Sequence, residues 1–282
     1  QDVLSEVIGL FPGKYVHIGG DEVDKTEWKR CPKCQARMKA EGLKDENELQ
    51  SWFVRRVEAY LNGRDRSLIG WDEILEGGLA PRATVMSWRG TEGGITAAKA
   101  GHDVVMTPTS HCYFDYYQGN PVSEPLAIGG FLPLSKAYAF EPVPDVLSED
   151  EAAHVIGGQA NLWAEYVPAA GHAEYMLLPR LAALSEAVWS AKGARQWVDF
   201  SRRLDGLMAH YDTAGLNYAR SAFQVRIESG AVAKRITAAL ETEIPGLDIR
   251  FTTDGTAPRA SSKRYVKPLT FKKTTELRAT AF

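Results

Sequence analysis

The sequence predicts an α/β fold built on a parallel sheet, followed by a small antiparallel β module. Strand-like and helix-like segments alternate through roughly the first two-thirds of the chain, and polar or aromatic residues follow each predicted strand directly. Short alternating segments replace this rhythm after about Leu216. We therefore predict one domain over residues 1–215 and a second over residues 216–282.

The predicted elements of the first domain begin with the strand Tyr15–Gly19 and the amphipathic helix Asn47–Leu61, whose apolar residues recur at helical spacing. The strands that follow are Ser67–Trp71, Ala83–Ser87, Asp103–Thr107 and Val155–Leu162. The helices that follow are Thr91–Lys99, Ala173–Ser190 with a break at Pro179, and Ala194–Tyr211. Polar residues just beyond parallel strands are typical of a TIM barrel, whose active site lies at the carboxyl ends of the strands.

The second domain is predicted from a run of short strands separated by turn residues. These strands are Gln224–Ile227, Ala233–Thr242, Leu247–Thr253, Leu269–Phe271 and Glu276–Phe282.

Composition and charge limit the partners and cofactors that the sequence predicts. The net charge is -3 without a basic run, which excludes nucleic acid and anionic membranes as expected partners, and no stretch is long and apolar enough to span a bilayer. Cys31 and Cys34 have the spacing of half a zinc site or of a redox pair. Because a second pair is missing, we assign no metal and no cofactor, and both a disulfide and two free thiols remain open.

The acidic pair Asp21-Glu22 follows a strand and a Gly-Gly corner. Glycines allow the backbone to turn so that both carboxylates reach one cleft, where such groups transfer protons and stabilise positive charge. The alternative is a helix that begins here, with Asp21 as its N-cap.

The string His17-Ile18-Gly19-Gly20-Asp21-Glu22-Val23 resembles the signature of the family-20 glycoside hydrolases, the β-N-acetylhexosaminidases. Phe251–Pro258 resembles a hallmark of the β module appended to bacterial hexosaminidases. The signature of this family ends the fourth barrel strand, so the resemblance implies about strands 4–8 of a TIM barrel within residues 1–215. The chain begins inside a predicted helix, and we expect it to be part of a longer, periplasmic or secreted protein.

The resemblance also implies roles for individual residues. Glu22 is the expected general acid/base, and Asp21 is expected to orient the 2-acetamido group of the substrate. The expected substrate-binding residues are Tyr113, Trp71, Trp88, Trp163, Asp115 and Glu165. The activity implied is that of an exo-acting, retaining enzyme that releases terminal GlcNAc or GalNAc through an oxazolinium intermediate.

Two alternatives remain open at this point. A two-carboxylate glycosidase would form a covalent intermediate on Glu165 or Glu73. A carbohydrate-binding fragment would bind sugars without catalysis, and the activity of this chain by itself is open, as is its oligomeric state.

Overall fold

The computed structural model describes residues 1–232 and 235–282. The chain forms two compact units. The first consists of Gln1–Ser110 with Glu141–Gln159, and the second of His111–Phe140 with Ala160–Phe282.

The elements are numbered in chain order. Within the described residues, the helices are α1 Asp2–Leu10, α2 Thr26–Arg30, α3 Pro32–Glu41, α4 Glu46–Asn62, α5 Glu92–Lys99, α6 Thr109–Cys112, α7 Leu134–Tyr138, α8 Glu149–Ala152, α9 Ala170–Leu177, α10 Arg180–Trp189 and α11 Trp197–Ala214. The strands are β1 Tyr15–His17, β2 Ser67–Trp71, β3 Thr84–Ser87, β4 Val104–Met106, β5 Val155–Gly158, β6 Arg226–Val232, β7 Arg235–Glu241, β8 Ile249–Thr252, β9 Lys263–Arg264, β10 Leu269–Phe271 and β11 Arg278–Ala281.

The first unit is built on a parallel sheet in the order β1-β2-β3-β4-β5. Tyr15 pairs with Ser67 where β1 meets β2, and Ile69 pairs with Thr84 where β2 meets β3. Every interior strand is largely buried, which is the pattern expected of a parallel sheet. Because the strands are parallel, the segments that follow β1, β2 and β3 leave the same edge of the sheet.

The second unit combines helices α9–α11 with two antiparallel sheets, in the orders β10-β7-β6 and β11-β8-β9. The helix is interrupted at Leu178-Pro179, which separates α9 from α10, as the sequence predicts. The core of this unit includes Phe200 and Leu204 of α11.

The predicted strands of the first unit are confirmed to within a few residues, except that the strand Val155–Leu162 ends at Gly158. The first two residues of the predicted strand Ala233–Thr242 lie outside the described residues. The sequence reading missed α2 and α3, because Met38 alone is buried in α3 and the segment lacks an apolar stripe.

No helix within residues 1–232 or 235–282 is both long enough and apolar enough to cross a bilayer.

Candidate active site

The corner after β1 has a backbone that most residues avoid. Gly19 has a φ of 73°, Gly20 a φ of 100° and Glu22 a φ of 48°. A Cβ atom on Gly20 would lie 2.7 Å from Cγ2 of Ile74. Position 20 therefore requires glycine for both its conformation and its space.

Hydrogen bonds from two neighbouring elements hold this corner. The N–H of Trp71 in β2 donates to the carbonyl of Gly19 at 3.0 Å. The side-chain amide of Gln50, which is buried in α4, donates to the carbonyl of Gly20 at 2.8 Å. The direction in which the chain leaves β1 is thus fixed, and it presents Asp21 and Glu22 as exposed side chains.

The helix-cap interpretation of Asp21 is wrong. The first helix after the corner, α2, begins at Thr26, and its N-cap residue is Lys25. Asp21 and Glu22 therefore belong to the irregular segment between β1 and α2.

His17 connects the corner to Trp71. Its ring stands edge-on to Trp71, with centroids 4.7 Å apart, and its Nδ1 accepts a hydrogen bond of 3.0 Å from the N–H of Gly19. Desolvation lowers the pKa of His17, and the nearby Asp21 carboxylate opposes this effect. A neutral imidazole that accepts at Nδ1 carries its proton on Nε2.

Trp71 and Trp88 share one apolar cluster. Trp71 lies with Ile69 and Met86 in the core, and Trp88 packs against this group. The indole N–H of Trp88 donates to Oε2 of Glu73 at 2.9 Å. Burial raises the pKa of Glu73, while its hydrogen bond to Trp88 lowers it. The Glu73 carboxylate thus serves as the acceptor for an expected substrate-binding tryptophan.

Arg89 ties together the segments that follow β2 and β3. Its Nε lies 2.7 Å from Oδ1 of the buried Asp72, and its Nη1 lies 3.1 Å from Oε1 of Glu76. An ion pair to a buried carboxylate fixes the geometry of both segments.

In the second unit, Tyr113 is anchored through backbone pairing with the segment that leads to Trp163. Phe114 donates to the carbonyl of Asn161 at 2.7 Å, and Asn161 donates to the carbonyl of Cys112 at 2.8 Å. The Tyr113 and Trp163 rings are 6.4 Å apart. Burial raises the pKa of Tyr113 to about 12, so its hydroxyl remains a hydrogen-bond donor at neutral pH.

Asp115 is buried, and its Oδ1 has no hydrogen-bond partner among the described residues. The pKa of Asp115 is raised to about 6, chiefly by burial and in smaller part by the Glu165 carboxylate, whereas a backbone hydrogen bond and Arg180 oppose the rise. Glu165 itself is exposed, and so is Trp163.

Arg180 supports the segment that carries Tyr113 and Asp115. The side chain is completely buried, and its guanidinium donates to four backbone carbonyls. The acceptors are Phe114, Tyr116, Leu132 and Met176. Burial lowers the pKa of Arg180, and the carboxylates of Glu124 and Asp115 oppose that effect.

Comparison with known proteins gives the family. Residues 1–192 match the catalytic domain of glycosyl hydrolase family 20, and residues 227–282 match the chitobiase/beta-hexosaminidase C-terminal domain. The chain belongs to glycoside hydrolase family 20.

A beta-hexosaminidase of Porphyromonas gingivalis is 47% identical to this family-20 chain over 278 residues, which are 97% of the chain and 36% of that protein. A beta-hexosaminidase of Vibrio furnissii is 37% identical over 65% of the chain and 30% of that protein. The crystal structure of a family-20 exo beta-N-acetylglucosaminidase from Vibrio harveyi, in complex with N-acetylglucosamine, has a TM-score of 0.70 at 36% identity, covering 78% of the chain and 35% of that protein. The chain thus spans about a third of the length of these relatives.

These findings confirm the predicted fold class. The parallel sheet of the first unit is part of a TIM barrel, and the antiparallel sheets belong to a β module after it. The boundary at residue 216 stays a prediction.

Within the first unit, the structure brings Trp71 and Trp88 onto one cluster and places Asp21 beside His17. Within the second, it brings Tyr113 close to Trp163 and Asp115 close to Glu165.

The sequence did not predict that Gln50 and Arg180 support the site through hydrogen bonds to backbone carbonyls. It also did not predict the hydrogen bond from Trp88 to Glu73. A signal existed for Arg180, because it is a lone charge in the apolar run from Met176 to Leu184.

Proposed function

We propose that this chain carries the catalytic residues of an exo-acting, retaining β-N-acetylhexosaminidase that releases terminal GlcNAc or GalNAc. The observation that carries the proposal is the fixed corner after β1, which presents two adjacent carboxylates, Asp21 and Glu22, from one irregular segment. The family match and the related exo beta-N-acetylglucosaminidase support the same class of substrate.

The reaction uses the 2-acetamido group of the sugar as its nucleophile. Glu22 gives its proton to the glycosidic oxygen as the bond to the anomeric carbon breaks. The acetamide carbonyl oxygen attacks that carbon and forms the cyclic oxazolinium ion. Glu22 then takes a proton from water, which opens the ring at the same carbon, so that two inversions give overall retention.

Asp21 accepts a hydrogen bond from the acetamide N–H and balances the positive charge of the oxazolinium ion. Its position next to Glu22 suits this role, because both acids serve the same end of one sugar ring. Tyr113 donates to the acetamide oxygen and aims it at the anomeric carbon, because its hydroxyl is a protonated donor at neutral pH.

The other predicted residues bind the sugar. Trp71 and Trp88 form walls for the acetamide group, and Trp163 stacks against the sugar ring. Asp115 and Glu165 accept hydrogen bonds from the hydroxyls remote from the cleaved bond. The unpartnered Oδ1 of Asp115 supports this role, because a buried carboxylate oxygen without a protein donor is available to a sugar hydroxyl.

The structure gives less support to a covalent intermediate on Glu73. That carboxylate accepts from Trp88 and has Nε of Arg89 at 3.7 Å, so it is already engaged within the protein. Glu165 is exposed and remains the better nucleophile for the alternative mechanism.

The proposal is tested with nitrophenyl glycosides and the full-length protein. Asp21→Asn and Glu22→Gln should each lower kcat by about 10²–10⁴-fold, because each removes an acid that acts in the transition state. Glu27→Gln, an exposed glutamate in α2, is the matched control and should keep full activity.

The same assay distinguishes the alternatives. Hydrolysis should require the 2-acetamido group, and a thiazoline that mimics the oxazolinium ion should inhibit strongly. Equal hydrolysis of sugars without that group, with a fluorosugar trapped on Glu165, would establish the two-carboxylate mechanism instead. Sugar binding without any hydrolysis would identify a carbohydrate-binding protein.

A further inference from the structure

Cys31 and Cys34 lie outside the proposed active site, and the fold arranges them as a pair. Cys31 is the N-cap residue of α3, Pro32 occupies the first helical position, and Cys34 lies in the first turn. Both cysteines are free and half-buried, so solvent reaches them. The i to i+3 spacing at a helix start directs both side chains to the same end of the helix.

The two thiols differ in their surroundings. Cys31 occupies the N-cap position, at the positive end of the helix dipole of α3, and Cys34 and Lys33 are the residues that act most strongly on its thiol. They lower the pKa of Cys31, because they stabilise a thiolate at the positive end of the helix. The pKa of Cys34 is raised, chiefly because its thiol is the donor to Cys31. The Cys31 sulfur is thus suited to nucleophilic attack, whereas the Cys34 sulfur stays a protonated thiol until the second step.

Cys112 provides the contrast within the same chain. It is completely buried, and desolvation raises the pKa of its thiol far above the ordinary range. A thiol in these surroundings is chemically inert.

We propose that Cys31 and Cys34 form a thiol–disulfide exchange site, in which Cys31 attacks small-molecule disulfides and Cys34 resolves the product. The Cys31 thiolate attacks one sulfur of a disulfide such as oxidised glutathione, whose S–S bond breaks and releases one glutathione thiolate. Cys34 then loses its proton and attacks the Cys31 sulfur of the mixed disulfide. The second glutathione leaves, so that two cysteines are oxidised and one glutathione disulfide is reduced to two thiols.

The site lies near the corner that carries the acidic pair. Cys34 lines a cavity of about 580 Å³ together with Gly20 and Gln50, and Gln50 holds the carbonyl of Gly20. The exchange chemistry itself is independent of the proposed glycosidase activity.

The test incubates the full-length protein with glutathione mixtures of graded redox potential, followed by acid quench, alkylation, trypsin digestion and mass spectrometry. Trypsin cuts after Arg30, Lys33 and Arg37, so a closed disulfide joins two short peptides that contain Cys31 and Cys34. We expect this cross-linked pair to increase with the oxidised fraction, while Cys112 stays unmodified by glutathione.

Two variants separate the roles of the cysteines. Cys34→Ser should retain a stable glutathione adduct on Cys31, because the resolving thiol is absent. Cys31→Ser should react with oxidised glutathione about tenfold more slowly than Cys34→Ser at neutral pH. Equal rates for the two variants would refute the assigned roles. Persistent free thiols in the wild-type protein at every redox potential, or an adduct that never resolves, would refute the site itself.

Discussion

The corner after β1 and the segment Tyr113–Asp115 hold the side chains of the proposed active site in opposite ways. At the corner, glycine conformations and hydrogen bonds to carbonyl oxygens fix the backbone, and the carboxylates of Asp21 and Glu22 are exposed. In the second segment, the side chains themselves are buried, and Arg180 supports the backbone from within the core. At the corner, the residues proposed to act in catalysis therefore contribute little to stability, whereas in the second segment the same side chains contribute to both.

The largest effect on stability is expected from Arg180→Met. The methionine fills part of the volume but leaves the carbonyls of Phe114, Tyr116 and Leu132 without the donor that now satisfies them. Each buried carbonyl left without a hydrogen-bond donor costs about 1–3 kcal/mol. Urea unfolding measures the loss of the free energy of unfolding.

Arg203→Met is the control for that experiment. Arg203 makes an exposed ion pair with Glu186 in the same unit, and its loss should cost less than about 1 kcal/mol. Equal losses for the two variants would mean that the buried hydrogen bonds of Arg180 carry no special weight, and the comparison with the corner would fail.

The supporting contacts mark the limit of what the sequence predicts. Alternating apolar segments predict β1–β5 and α4, because each pattern is local and repeats at a fixed period. The same reasoning marks Trp71 and Trp88 at strand ends. It does not reveal that Glu73 accepts from Trp88, or that Gln50 holds Gly20, because such contacts join residues 15 or more positions apart and depend on the packing.

Exposure is equally hidden from the sequence. The two glycines followed by two acids predict the corner, but the same residues are also consistent with a helix capped by Asp21. The structure decides between these alternatives, because α2 begins only at Thr26. The surroundings of Asp115 likewise include residues distant in sequence, such as Arg180, whose charge lowers the pKa of Asp115.

The next largest effect is the pH dependence that Asp115 contributes to stability. Burial raises the folded-state pKa of Asp115 from 3.8 to about 6, so the folded state favours the protonated form. Its stabilising contribution is therefore complete below about pH 4 and is lost as the pH rises through about 6. Relative to Asp115→Asn, the wild-type free energy of unfolding should fall by about 1–3 kcal/mol between pH 4 and pH 7.

Urea unfolding of both proteins over this pH range measures the difference. Asp205→Asn is the control, because this exposed carboxylate in α11 is solvated in both states and should leave the difference nearly constant. A flat difference for Asp115→Asn as well would mean that water reaches the carboxylate and that the segment resembles the exposed corner.

A local effect on stability is expected at the corner, where a matched pair of glycines is available. An alanine Cβ at Gly20 would meet Ile74 at 2.7 Å with a φ of 100°, whereas at Gly19 the nearest atom is 3.4 Å away with a φ of 73°. Strain at such positions costs about 1–3 kcal/mol. Gly20→Ala should therefore lie near the upper end of this range and Gly19→Ala near the lower end.

Activity should separate the two glycine variants further. A clash with Ile74 shifts the backbone directly before Asp21 and Glu22, and misplaced catalytic groups cost about 10²-fold in rate for a displacement near 1 Å. Gly20→Ala should thus lose far more kcat than its stability loss explains, as measured on the folded protein below its unfolding transition. If kcat falls only in proportion to the folded fraction, activity and stability are coupled at the corner as well. The corner and the segment Tyr113–Asp115 would then not differ in this respect.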